Sequence, residues 1–168
     1  MFVDETAATT NMARRYGRRR RGRRLRCGVP HGHYQAITFV FGLRLRGAVA
    51  PKAYDHAMNA ATFEAWLEHC LLPTLEEGDI VVLDNLNVHK GPRVAEILAK
   101  KKCTVRYLPP YSPDFNPIEK AYSKLKAILR KLAERTVAGL IAVLKGCADL
   151  FKPAECENFF AACGYDTT

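Results

Sequence analysis

The chain opens on a short apolar run, Met1-Phe2-Val3, that ends on an acid, Asp4, and residues 1–7 read as a strand. Residues 8–24 carry neither a helical nor a strand period. They are polar, broken by glycine and rich in arginine, and they predict a mobile loop between the first strands. From Leu25 three β-type segments follow, at 25–29, 34–43 and 47–54, with turns supplied by Gly32, Gly42 and Arg46-Gly47. That is the pattern of an antiparallel meander. Asn59 is placed to cap a helix whose apolar positions Phe63, Trp66, Leu67, Cys70 and Leu71 recur at three and four, with Pro73 late in it and Gly78 closing the connection. Ile80-Val81-Val82-Leu83 is apolar on both faces, as a buried parallel strand is, and puts Asp84 at its carboxyl end. Gly91-Pro92 opens a helix reaching Lys100, and Thr104 to Leu108 reads as the next strand. Pro109, Pro110, Pro113 and Pro117 then stiffen a shaped loop that delivers the chain into a helix from Pro117 to about Lys131. Two more helices, near 136–150 and 153–162, close the chain, and no internal repeat is visible. The pattern alone predicts a mixed α/β domain.

Composition narrows the class. A length of 168 residues suits one domain with a real core. No apolar stretch approaches the roughly 20 residues needed to span a bilayer, and the amino terminus lacks the charged-then-apolar order of a signal peptide. A cytoplasmic protein with no membrane partner is expected. None of the six cysteines forms a C-x-x-C pair, so they read as small core residues rather than as a zinc or redox motif.

Charge changes the picture more. The net charge is +9, and residues 14–26 alone carry nine arginines and no acid, so the rest of the chain is neutral. Such a local patch is the footprint of a polyanion partner, although a solvated flexible arm has the same composition. Arg14, Arg15, Arg18, Arg19, Arg20, Arg21, Arg23 and Arg24 are the candidate phosphate contacts, since the guanidinium fork matches phosphate oxygens. Lys120 and Lys124, at i and i+4 on one helix face, are further candidates.

Candidate chemistry lies in three acids. Asp4 and Asp84 end strands, and Glu119 opens a helix, so the three can gather at one edge of a sheet. Glu119 also fits a capping box, with Asn116 as the cap and Pro117 at the first helical position. Asp114 rivals Glu119, and Glu5 rivals Asp4, although neighbouring strand residues point to opposite faces. Asn85 and His89 share the local motif of Asp84 and read either as support for its carboxylate and a phosphate contact, or as a polar turn. His31 and His33 could share a strand face, with no third metal ligand apparent.

LDNLNVH at 83–89, followed by LPPYSPDFNPIEKAYSKLK at 108–126, resembles the DDE transposases of the bacterial insertion-sequence branch related to mariner elements. In that branch thirty-four residues separate the second and third acids, as they do Asp84 and Glu119. The resemblance implies an RNase H-like α/β fold, a mixed five-stranded sheet flanked by helices, with Asp4, Asp84 and Glu119 as catalytic residues. Two Mg²⁺ or Mn²⁺ ions would be held by them, Asp4 bridging both. It implies cleavage of DNA and joining of the freed 3′-hydroxyl to target DNA, without a covalent protein intermediate. Upstream helix-turn-helix modules are also implied, and none lies in this chain, so residues 1–168 are expected to be the catalytic domain alone, with 8–24 a basic loop within it. DNA is the expected partner, with a homodimer on DNA and a separate DNA-binding subunit as further expectations. The alternatives are an RNase H-like nuclease without strand transfer and a non-catalytic DNA-binding remnant.

Overall fold

The apolar run at the amino terminus becomes the central strand of a sheet. In the computed structural model, which describes residues 1–166, β1 (Phe2–Thr9), β2 (Ala36–Arg44) and β3 (Gly47–Tyr54) form an antiparallel meander. β4 (Ile80–Leu83) lies parallel beside β1, and β5 (Thr104–Tyr107) parallel beside β4. The order β3-β2-β1-β4-β5 is the expected RNase H-like arrangement.

Strand alternation sorts the core into two layers. Phe2 and Ala8 of β1, with Ile37, Phe39, Phe41 and Leu43 of β2, pack under α3 (Pro117–Leu132), α4 (Val137–Lys145) and α5 (Pro153–Ala161). Val3 and Val40 face the other way, with Val81 and Leu83, under α1 (Ala60–Trp66) and α2 (Pro92–Ala99). Asn59 caps α1 as expected, its side chain accepting the Thr62 N–H at 2.9 Å. Beyond Trp66 that helix widens into a π-helical turn, Leu67–Leu71, and tightens to a 3-10 turn at Leu72–Thr74. The helix expected over 136–150 breaks at Gly146 into a 3-10 turn, Cys147–Leu150. No helix among the described residues is long and apolar enough to cross a membrane.

Two expectations fail here. Residues 25–29 form no strand: Leu25 and Val29 are exposed, and the surrounding arginines leave no apolar surface for the segment to cover. Gly42 is not a turn residue but sits inside β2, paired with Val3 and Val49. A Cβ there would lie 2.9 Å from Met1 Sδ, 3.0 Å from Val49 Cγ2 and 3.3 Å from Leu71 Cδ1. Glycine is required for close approach, not for φ. Gly42→Ala is expected to lower stability by about 1–3 kcal/mol, the usual cost of overpacking a core, as read by denaturant unfolding.

Candidate active site

Parallel pairing of β1 with β4 builds the site. Val3 stands opposite Leu83 in the register, so Asp4 and Asp84, each one residue further on, emerge side by side. β4 stops there while β1 continues to Thr9. The proline-rich loop and the first turn of α3 close the other side and bring in Glu119. The result is a cleft of about 350 Å³ lined by Asp4, Asp84, Asn85, Asn116 and Glu119, with the 108–113 loop as its wall. Tyr111 stands on that wall fully exposed, in a left-handed backbone conformation (φ 55°) that is costly for a non-glycine residue.

Asp4 is only 7 % exposed, and each of its own oxygens accepts a hydrogen bond. Its Oδ1 accepts the Glu5 N–H at 2.8 Å and its Oδ2 the Asn116 amide at 3.0 Å, while its backbone carbonyl accepts from the buried Tyr122 hydroxyl. Burial, then the negative charges of Asp84, Glu5 and Glu119, push the Asp4 carboxyl up to about 7 against the help of the Glu5 N–H. The capping box does not form. Asn116 makes no side-chain cap; its backbone carbonyl accepts the Glu119 N–H at 3.1 Å, and its amide is spent on Asp4. Glu119 is therefore exposed at the cleft rather than folded back onto the helix start.

Asp84 is fixed by His89. The fully buried imidazole donates from Nδ1 to Asp84 Oδ1 at 2.6 Å and from Nε2 to Glu5 Oε2 at 2.9 Å, with its ring against Phe63 at 4.3 Å between centroids. Burial pulls its pKa down, but the two carboxylates more than reverse this and raise it to about 9. Burial likewise pushes Asp84 up, and the His89 bond, the Leu86 N–H and the charges of His89 and Lys90 outweigh it, leaving Asp84 below the usual carboxylate range. Asn85 lines the cleft but, among the described residues, makes no hydrogen bond to its carboxylates.

Glu5 is thus not a rival of Asp4. It points to the opposite face of β1, as alternation requires, and anchors the histidine that holds Asp84. Sequence reasoning missed this role, and those of Asn116 and Tyr122; the only signal was the Asp4-Glu5 alternation itself. Asp114 lies outside the cleft lining. Lys120 is exposed, whereas Lys124 is engaged within the fold: it donates to the Leu150 carbonyl at 2.6 Å, pairs with Glu155 and sits 5.5 Å over the Phe151 ring. The arginines of the 14–26 run are all exposed. His31 and His33 are exposed too, and no group of three His, Cys, Asp or Glu side chains among the described residues converges into a ready-made metal cage.

A sequence model described as DDE superfamily endonuclease matches residues 1–139. The chain belongs to the DDE superfamily endonucleases. No curated protein matches its sequence. Among solved structures, this DDE endonuclease is similar to the Mos1 transposase paired-end complex with left transposon end, with a TM-score of 0.69 at 16 % identity, covering 98 % of this chain and 55 % of that one. The Mos1 strand transfer complex gives 0.70 at 16 % identity over 97 % and 50 % of the two chains. The Mos1 mariner paired-end complex with Mn gives 0.66 at 14 % identity over 97 % and 51 %. At these identities the likeness concerns the fold, and the chain spans about half the length of these solved proteins.

Proposed function

We propose that this chain is the catalytic domain of a mariner-related, insertion-sequence transposase that cuts DNA strands and joins the freed ends to target DNA, using divalent metal. The observation that carries this is the Val3–Leu83 register, which sets Asp4 beside Asp84 across one cleft from Glu119. Family membership gives those acids an endonuclease setting. The Mos1 strand transfer complex and the Mos1 complex with Mn support extension to strand transfer and to a metal.

The residues fit a hard divalent cation. The donors are carboxylate oxygens, which Mg²⁺ and Mn²⁺ prefer. Asp4 is held up near 7 by burial and by neighbouring negative charge, a cost that a cation would remove. Asn116, also lining the cleft, keeps its Oδ1 buried without a partner among the described residues. Asp4, Asp84 and Glu119 would hold two such ions. When bound, the ions supply Lewis-acid stabilisation of the attacking and leaving oxygens in an in-line displacement at phosphorus. The chain's own residues do the positioning. Asn116 and the Glu5 N–H orient the two oxygens of Asp4, and His89 orients Asp84. Glu119, on a helix start, is free to adjust to the scissile group. Asn85 lines the same cleft and would donate to a phosphate oxygen bound there. The proline-rich wall keeps the cleft open to a strand.

Its setting is proposed to be the bacterial cytoplasm, as a dimer assembled on DNA, with helix-turn-helix modules supplied upstream or by a separate subunit. The test is Mn²⁺-dependent nicking of supercoiled plasmid by the purified chain. Nicking is expected in wild type, and its loss on chelation and in Asp84→Asn and Glu119→Gln. A substrate with a free 3′-hydroxyl then separates strand transfer from simple hydrolysis. Metal-independent binding without nicking, even with DNA-binding modules added, would favour the remnant; nicking that survives both substitutions would overturn the mechanism.

A further inference from the structure

The face of α3 that carries Glu119 continues beyond the cleft. At about 100° per residue, Ser123, Lys126 and Arg130 fall within about 40° of Glu119 around the helix, while Lys120 and Lys124 are turned about 100–140° away. Arg130, with Ala127 and Lys131, forms one wall of a second cleft of about 490 Å³, and Arg14, Arg15 and Tyr16 form the other. Four of these six residues are basic and none is acidic.

The chain leading into the arm wall is fastened in place. Thr10 N–H donates to the Gln35 carbonyl at 3.0 Å and Thr10 Oγ1 accepts the Gln35 N–H at 3.1 Å. Arg135, just past α3, donates to the carbonyls of Thr10 and Met12 at 3.0 and 2.8 Å. Arg130 and Lys131 suit the carboxyl end of a helix dipole. That does not account for Arg14 and Arg15, folded back to face them across open space, where like charges repel. A polyanion between the walls would turn that repulsion into attraction.

We infer that this second cleft binds the phosphate backbone of duplex DNA on one flank of the cut, with the Ser123–Lys126–Arg130 face as the track from Glu119; this rests on the reading of the first cleft as a DNA site. From Glu119 to Arg130 is about 17 Å at 1.5 Å per residue, the rise of about five base pairs at about 3.4 Å each. Guanidinium groups on both walls can fork onto phosphate oxygens.

The test is anisotropy titration of a fluorescent duplex with the full chain, in chelator so that no cleavage intervenes, across a salt series. Removing either wall, as R14A/R15A or R130A/K131A, is expected to flatten the slope of log Kd against log salt by about 1.8, two contacts at about 0.9 per phosphate. K52A, on the far edge strand β3, should leave the slope unchanged. Flattening by both wall pairs but not by K52A supports the cleft. If wild type binds but neither pair changes the slope, the cleft is overturned and the proposed function stands. Flattening by the arm pair alone also overturns it, since the helix wall would be idle. A wild type that binds no duplex overturns both.

Discussion

Asp4→Asn is expected to cut strand cleavage severely while making the metal-free protein more stable at alkaline pH. Asp4 is buried and its carboxyl stands at about 7 in the fold against 3.8 as its ordinary value. A carboxyl raised on folding leaves stability intact below its unfolded pKa and erodes it as pH climbs through the folded one. The window here runs from about pH 4 to about pH 7, and a shift of this size is on the order of 4 kcal/mol. The amide removes the ionisation, still accepts the Glu5 N–H, and lets Asn116 turn its unpartnered Oδ1 toward a new donor. Denaturant unfolding in chelator at pH 5 and pH 8 should show a large loss for wild type and a much smaller one for the variant. Mg²⁺ or Mn²⁺ should restore wild type by binding the native state and do little for the variant. Cleavage should fall by about 10³-fold, since a metal's charge stabilisation is worth several kcal/mol. Equal pH profiles for the two proteins would mean that Asp4 is not where the electrostatic cost lies.

The same geometry explains what could be read in advance. The meeting of Asp4, Asp84 and Glu119 at one cleft was foreshadowed by local pattern: an apolar run reaching an acid, twice, and a proline-started helix. Asp4 does not end its strand, however, because β1 pairs with β2 as far as Thr9. The apolar runs predicted only a mixed α/β domain, the RNase H-like arrangement came with the family resemblance, and Asn59 announced its cap. What stayed hidden depends on partners far along the chain. Lys124 looks like a solvated lysine until Glu155 and Leu150 are folded against it. Asn116 has the local grammar of a cap, yet its Nδ2 donates to Asp4, 112 positions away, and in that orientation its Oδ1 caps no helix N–H. Residues 25–29 have β-type residues but no neighbour to pair with, and a strand cannot exist alone. Gly42 was misread for a related reason, since its meaning lies in Met1, Val49 and Leu71 pressing on it from three parts of the chain.

His89→Ala should uncouple the two strand acids. The imidazolium lies between Asp84 and Glu5, with neither carboxylate fully exposed, at 27 % and 16 %. Its removal leaves two neighbouring negative charges without their shared counter-ion, and breaking a buried pair this way costs about 3–5 kcal/mol. Because His89 stands at about 9 in the fold and 6.5 as its ordinary value, its contribution is complete below about pH 6.5 and is lost as pH rises through about 9. That is the opposite end of the scale from the Asp4 window, so metal-free wild type should weaken from about pH 4 to 7 through one group and again toward pH 9 through the other. Glu5→Gln tests the same clamp more gently. It keeps an acceptor for Nε2 but removes a charge, so an NMR titration of His89 should move from about 9 toward its ordinary value. Cleavage should fall about 10–100-fold in either variant, the usual effect of losing a partner that orients a metal ligand, with metal affinity reduced and DNA binding in chelator unchanged. A His89 titration that ignores Glu5→Gln would break the link between the strand bearing Asp4 and the loop bearing Asp84. If the link holds, Glu5 faces away from the cleft and yet sets the distance across it.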